Sequence, residues 1–284
     1  MSFAADYLAQ LDAFAGRGAL PRVRALHLPP AQRHDAGANK GEFCALELDD
    51  GSLGLSYVLL DDTLTRLRDG ADGLSLAGAD ALAMARRYAG ADSCARTIGF
   101  AAANALTRCL FDRAGFRPDD SADSIGQMNP QAGERIGMIG LFRPLLGRIL
   151  ESGAQLTVVE LKAELAGEAD GYRVTLDAAE LAACSKVVST STLLLNDTLD
   201  RMLEHCRDAR WFAMVGPGAG CLPDALFAHG VTLLGGSWII DRAGFIDALK
   251  QGEKQSACAA KFALTAENYP GLNALLDRAS ATRR

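Results

Sequence analysis

At 284 residues and 30.0 kDa the chain has room for one large or two medium domains with a substantial core. Its 49% apolar and 23% charged residues match a globular composition and exclude long disorder, a fibrous architecture or a membrane-embedded one. Lys and Arg number 29 against 35 Asp and Glu, a net charge of -6, and no local basic patch stands out, so nucleic acid is not an expected partner.

The opening MSFAADYLAQLDAFAG has acidic residues and no basic start, and it reads as an amphipathic helix rather than a secretion signal. The longest apolar runs, such as Val231 to Ile240, are half the length of a membrane span. No membrane partner is expected, and the expected location is the cytoplasm. Seven scattered cysteines, with no C-x-x-C and no finger spacing, argue against a disulfide framework or a structural zinc site.

In chain order, PRVRALHL alternates weakly over residues 21–28, and EFCALELDDGSLGLSYVLL over 42–60 predicts a hairpin turning at Asp49, Asp50 and Gly51. Ala-rich helical patterns follow at 77–90 and 93–111, the second placing Ile98, Ala102, Ala105, Leu106 and Cys109 on one face. Thr97, Asn104 and Arg108 form a stripe beside that face, and a solvated helix side is its simplest account. Residues 117–133 are polar, contain two prolines and break every periodicity, which marks a boundary between 1–125 and 126–284.

Beyond it, short apolar runs begin at Arg135, Gln155, Lys186, Trp211 and Val231 and alternate with helical stretches. That alternation predicts α/β architecture, a small α+β unit followed by a doubly wound parallel sheet. Ligands in such sheets bind at the carboxyl ends of the strands. Gly137, Gly140 and Phe142 follow the first run, with Pro144 suited to a helix start, although G-x-x-G is not the full dinucleotide fingerprint. Glu160 ends the second run, where a ribose hydroxyl could be held. Ser189 to Thr192, with Asn196 and Asp197 behind them, could cap a helix or hold an anion.

Gly216, Pro217, Gly218, Ala219, Gly220 and Cys221 form a glycine-rich, mobile-looking loop after the fourth run, and Gly235, Gly236, Ser237 and Asp241 close the rim at the fifth. Candidate metal ligands are Glu160, Cys221 and Asp241, a carboxylate and thiolate set suited to a divalent transition metal. His27 and His34 flank a proline loop, whereas His205 and His229 sit at helix ends, where a structural role is expected. No nucleophile elbow, P-loop, zincin or kinase signature occurs.

The segments GERIGMIGLFRPLLGRILESGAQLTVVELK and STSTLLLNDTLDRMLEHCRDARWFAMVGPGAGCLPDALFAHGVTLLGGSWIIDRAGFIDAL resemble the Rossmann-like domain of a prokaryotic family named for heavy-metal chelation. LELDDGSLGLSYVLL, SLAGADALAMAR and RTIGFAAANAL are similar to that family's enolase amino-terminal-like domain, and the resemblance covers most of residues 20–250. It implies an antiparallel meander with helices, a Rossmann-like sheet, and a cleft between them as the site. By position it assigns ligand-binding roles to Asn104, Gly140, Phe142, Thr192, Asn196, Gly216, Pro217 and Gly236. The expected function is binding of a metal ion, or of a small anionic metal-chelating ligand, in the interdomain cleft. The alternative is an enzyme holding NAD(P) or S-adenosylmethionine at the strand ends; a homo-oligomer is compatible with either, and whether a reaction is catalysed stays open.

Overall fold

The computed structural model describes residues 2–31, 42–70, 76–121, 128–196 and 198–281. Helix α1 (Phe3–Ala15) starts where the Ser2 hydroxyl accepts from the Ala5 N–H. It buries Phe3, Tyr7, Leu11 and Phe14, the one-sided spacing read from the sequence. Strands β1 (Val23–His27), β2 (Phe43–Leu48) and β3 (Leu53–Tyr57) form an antiparallel meander in the order β1-β2-β3. The predicted turn falls where expected: Gly51 takes φ +90°, and the Asp50 carboxylate accepts from the Ser52 N–H.

Short helices α2 (Thr63–Arg68) and α3 (Ala81–Arg86) lead into α4 (Ser93–Arg113), whose N-cap is Asp92. Of the stripe on α4 expected to be solvated, only Arg108 keeps some exposure, 23% at its side chain. Thr97 and Asn104 are 2% and 3% exposed, because β3 covers one side of the helix and other helices cover the rest. Two glycines permit this closeness. A Cβ on Gly54 of β3 would lie 2.1 Å from the Ala101 carbonyl oxygen, and one on Gly99 of α4 would lie 2.2 Å from the Tyr88 nitrogen.

The second half alternates β4 (Arg135–Ile139), α5 (Arg143–Glu151), β5 (Gln155–Val159), β6 (Gly167–Ala169), β7 (Tyr172–Thr175), β8 (Lys186–Thr190), α6 (Leu199–His205) and β9 (Trp211–Val215). It continues with α7 (Asp224–Ala228), β10 (Leu233–Ile239), α8 (Arg242–Gln251), β11 (Ala259–Leu264) and α9 (Leu272–Ala281). Its eight strands lie in the order β11-β10-β9-β8-β4-β5-β7-β6. The six from β10 to β7 are mutually parallel, and β11 and β6 pair antiparallel at the two edges. Counted along the chain, those six stand 6-5-4-1-2-3, the doubly wound order, with its reversal between β4 and β8.

The core runs straight through the expected boundary. Tyr7, Leu46 and Leu106 belong to the same buried cluster as Val187, Phe212 and Leu234. Helix α9 lies against α4, and α1 against α7, so each half is braced by helices of the other. Among the described residues no helix is long and apolar enough to cross a membrane.

Candidate functional site

At the strand-order reversal, the residues expected to cradle a ligand are used by the fold. A Cβ on Gly137 would sit 2.7 Å from Leu181 Cδ2 and 3.2 Å from Val187 Cγ2, so this glycine makes room for packing under the sheet. Gly140 has φ +82° and its α-carbon faces Thr190, a tight turn that only glycine adopts without strain. Phe142 precedes α5 and packs against the core beneath it. The Glu160 carboxylate accepts from the Leu141 N–H at 2.6 Å and from the Leu161 N–H at 3.2 Å, which ties the loop after β4 to the end of β5. Thr190 caps the 3-10 turn at 191–194: its Oγ1 accepts from the Thr192 N–H and lies 3.0 Å from the Thr192 hydroxyl. Asn196 Oδ1 accepts from the Thr198 hydroxyl and N–H. Asp197 and His34 lie outside the described residues.

The glycine loop after β9 is fixed in the core rather than mobile. Ala219 and Cys221 are 0% and 1% exposed. Asn104 reaches across from α4, its Nδ2 donating to the Gly218 carbonyl at 3.0 Å and to the Leu55 carbonyl at 2.8 Å, while its Oδ1 accepts from the Tyr7 hydroxyl at 3.1 Å. One amide thereby joins α1, α4, β3 and the loop. Gly216 and Gly236 let the loop close: a Cβ on Gly216 would meet the Ser191 hydroxyl, and one on Gly236 would lie 2.6 Å from the Ala219 carbonyl oxygen. Arg108, one turn beyond Asn104, donates to both Asp112 oxygens and to the Ile239 carbonyl, and its guanidinium stands 3.8 Å from the centre of the Trp238 ring.

The expected metal set does not assemble. Glu160 follows β5 and Asp241 follows β10, four strand positions away, a separation of roughly 19 Å at the usual strand spacing. Asp241 caps α8 by accepting from the Gly244 N–H, and the Cys221 thiol is pushed up to about 12 by burial. At 1% exposure that thiol is packed into the core and offers no open face to an ion. His27 is buried against Glu47 at 2.9 Å, and His229 lies 3.5 Å from Asp6. Among the described residues no group of three His, Cys, Asp or Glu side chains could hold a metal ion.

What does open between the meander and the sheet is a cleft of about 570 Å³, ample for a small organic ligand. Phe43 and Leu55 form its floor on one side, because strand alternation points them away from α4, towards which Cys44 and Leu46 point. Phe245 and Leu249 of α8 face them, and Pro217 of the glycine loop closes one end. Ser237 of β10 and Lys261 of β11 are direct cross-strand partners and share the wall. A smaller recess, lined by Asn104, Gly220 and Trp238, adjoins it through Leu55, Pro217 and Ser237. Of the rim and helix residues expected from the sequence, Pro217 and Ser237 line both the cleft and the recess, and Asn104 and Gly220 line the recess alone. Glu42, Phe245, Lys254 and Lys261 went unread, because only the antiparallel return of β11 and the docking of α8 over the meander bring them together.

The comparisons fit this architecture. Residues 123–268 match the DUF364 family model, described as "putative heavy-metal chelation", and residues 41–107 match the DUF4213 model, which carries the same description. The chain belongs to the DUF364 family. A solved DUF364 structure from Desulfitobacterium hafniense, 20% identical, superposes with a TM-score of 0.68 over 93% of this chain and 98% of that one. Another from Pyrococcus horikoshii, 17% identical, gives 0.65 over 93% of this chain and 100% of its own. Both share the fold. An uncharacterized protein of Methanocaldococcus jannaschii is 31% identical over 150 residues, so the match spans about half the length of that relative, 55%, and 51% of this chain.

Proposed function

We propose that this DUF364 protein binds a small organic, metal-chelating ligand in the cleft between the meander and the carboxyl edge of the sheet, and that the metal is carried by the ligand. The observation that carries the reading is the pairing of a ligand-sized cleft with the absence, among the described residues, of any three-donor metal group. The family's description supplies the metal; the cleft supplies room for the molecule that would hold it. A nucleotide-type cofactor at the strand-order reversal is the weaker reading, because Glu160, its intended ribose partner, already accepts from two backbone N–H groups.

Native mass spectrometry of protein purified without chelators tests this. The expected spectrum shows an organic adduct, with or without a metal, that disappears in Ser237→Trp, where an indole fills the cleft. A bare metal adduct, or an organic adduct that persists in Ser237→Trp at wild-type occupancy, overturns the reading.

A further inference from the structure

The cleft's lining narrows its occupant further, on the reading that the cleft is the site. Its walls are mostly carbon: Phe43, Leu55, Pro217, Phe245 and Leu249. At its edge stand charges of both signs, Glu42 and Glu253 with Lys254 and Lys261. Among the described residues none of these four takes part in an ion pair, although elsewhere surface arginines pair freely, as Arg66 does with Asp92 and Arg86 with Asp12. Glu42 is half-buried, and burial raises its carboxyl above the usual range. A carboxylate in that position gains from a cation brought to it.

We propose that the occupant is an amphoteric aminocarboxylate with an apolar body: its ammonium faces Glu42, its carboxylate faces Lys254 and Lys261, and its hydrocarbon part lies between Phe43 and the Phe245–Leu249 face of α8. Each simpler class leaves something unmatched. A hydrated metal ion or inorganic phosphate leaves five apolar side chains against water or charge, which the hydrophobic effect disfavours. A plain carboxylate brings no partner to Glu42, and a plain amine brings none to the lysines. Once its ammonium gives up a proton, the same molecule offers nitrogen and oxygen donors together, the combination that chelates a transition metal, and the bound metal cation then takes the ammonium's place as the positive charge near Glu42.

The test uses three probes on the full chain by isothermal titration: N-benzyliminodiacetate, benzylamine and phenylacetate. N-benzyliminodiacetate should bind, and each of the other two at least about tenfold more weakly, since a site built around a polar group discriminates against ligands lacking it. In Glu42→Gln the advantage over phenylacetate should vanish, and in Lys261→Gln the advantage over benzylamine should shrink, with both variants keeping wild-type thermal unfolding. Equal binding of phenylacetate, equal binding of benzylamine, or an unchanged preference in Glu42→Gln overturns the proposal. If no probe binds while the native spectrum still shows an organic adduct lost in Ser237→Trp, the ligand class is wrong and the cleft assignment stands.

Discussion

Two buried polar residues show how differently the same kind of group can be used. Asn104 satisfies two carbonyls and one hydroxyl drawn from three separate elements. Asn104→Ala takes the side-chain donor from the Leu55 and Gly218 carbonyls in the core, while the Tyr7 hydroxyl keeps Thr107 at 2.8 Å, and urea unfolding should show a loss of about 3 kcal/mol. At the opposite end of the sheet Glu134, 9% exposed at its side chain, meets Lys186 at 2.9 Å and also Arg210. Burial alone would raise its carboxyl; donation from Lys186, the Gln131 N–H, Ser185 and Arg210 outweighs it and holds the value at about 2. The folded value lies below the ordinary 4.5, so the ionised group's contribution is complete above about pH 4.5 and fades as the pH falls towards 2. Glu134→Gln leaves the ammonium of Lys186, which is itself 9% exposed, with the Asn129 carbonyl but no carboxylate, and should lower stability at pH 7 by about 3 kcal/mol. Urea midpoints of wild type and variant should converge between pH 4.5 and pH 2.5; a gap that is the same at both would refute the assignment.

Among the elements, α4 is the axis on which the cleft is hung, since it carries Asn104 to the glycine loop and Arg108 to β10. Its close seating on β3 depends on a missing side chain. Gly54→Ala drives a methyl group into the Ala101 carbonyl and the Ala105 nitrogen, backbone atoms that cannot swing aside, and should cost at least about 3 kcal/mol as read by thermal unfolding. An unchanged melting temperature would mean that α4 and β3 sit farther apart. The elements also show what the sequence could reveal. The hairpin was legible because its turn residues sit between alternating strands, and β4, β5, β8, β9 and β10 because strands covered on both faces are apolar almost throughout. Strand β6 was not, since Gly167, Glu168 and Ala169 are all exposed at a sheet edge and carry no burial pattern. Strand β11 was missed because exposed Lys261 breaks its short apolar run.

For the whole molecule, the site was legible only as far as it lies at strand ends. Pro217 and Ser237 could be placed from the alternation of strand and helix, whereas Glu42 and Lys254 are more than two hundred positions apart and meet through tertiary packing alone. The metal set failed for the converse reason: every strand end looks alike in sequence, and only strand order shows that Glu160 and Asp241 are far apart. The thiols follow the same global logic. Cys44, Cys94, Cys109, Cys184, Cys206 and Cys221 are buried and Cys258 is partly exposed, so a disulfide reagent at pH 8 should titrate about one thiol promptly in the native state and all seven after denaturation. Several prompt thiols would show that the core opens readily.

Among the described residues, the side chains of this protein assemble no three-donor metal centre of the kind its family description suggests. Equilibrium dialysis of tag-free protein, stripped of small molecules, against Ni²⁺ alone is the sharpest check. No stoichiometric retention is expected until an aminocarboxylate is added. One equivalent held without it, and lost in Glu160→Ala, Cys221→Ala or Asp241→Ala, would show that the protein itself supplies the metal's ligands.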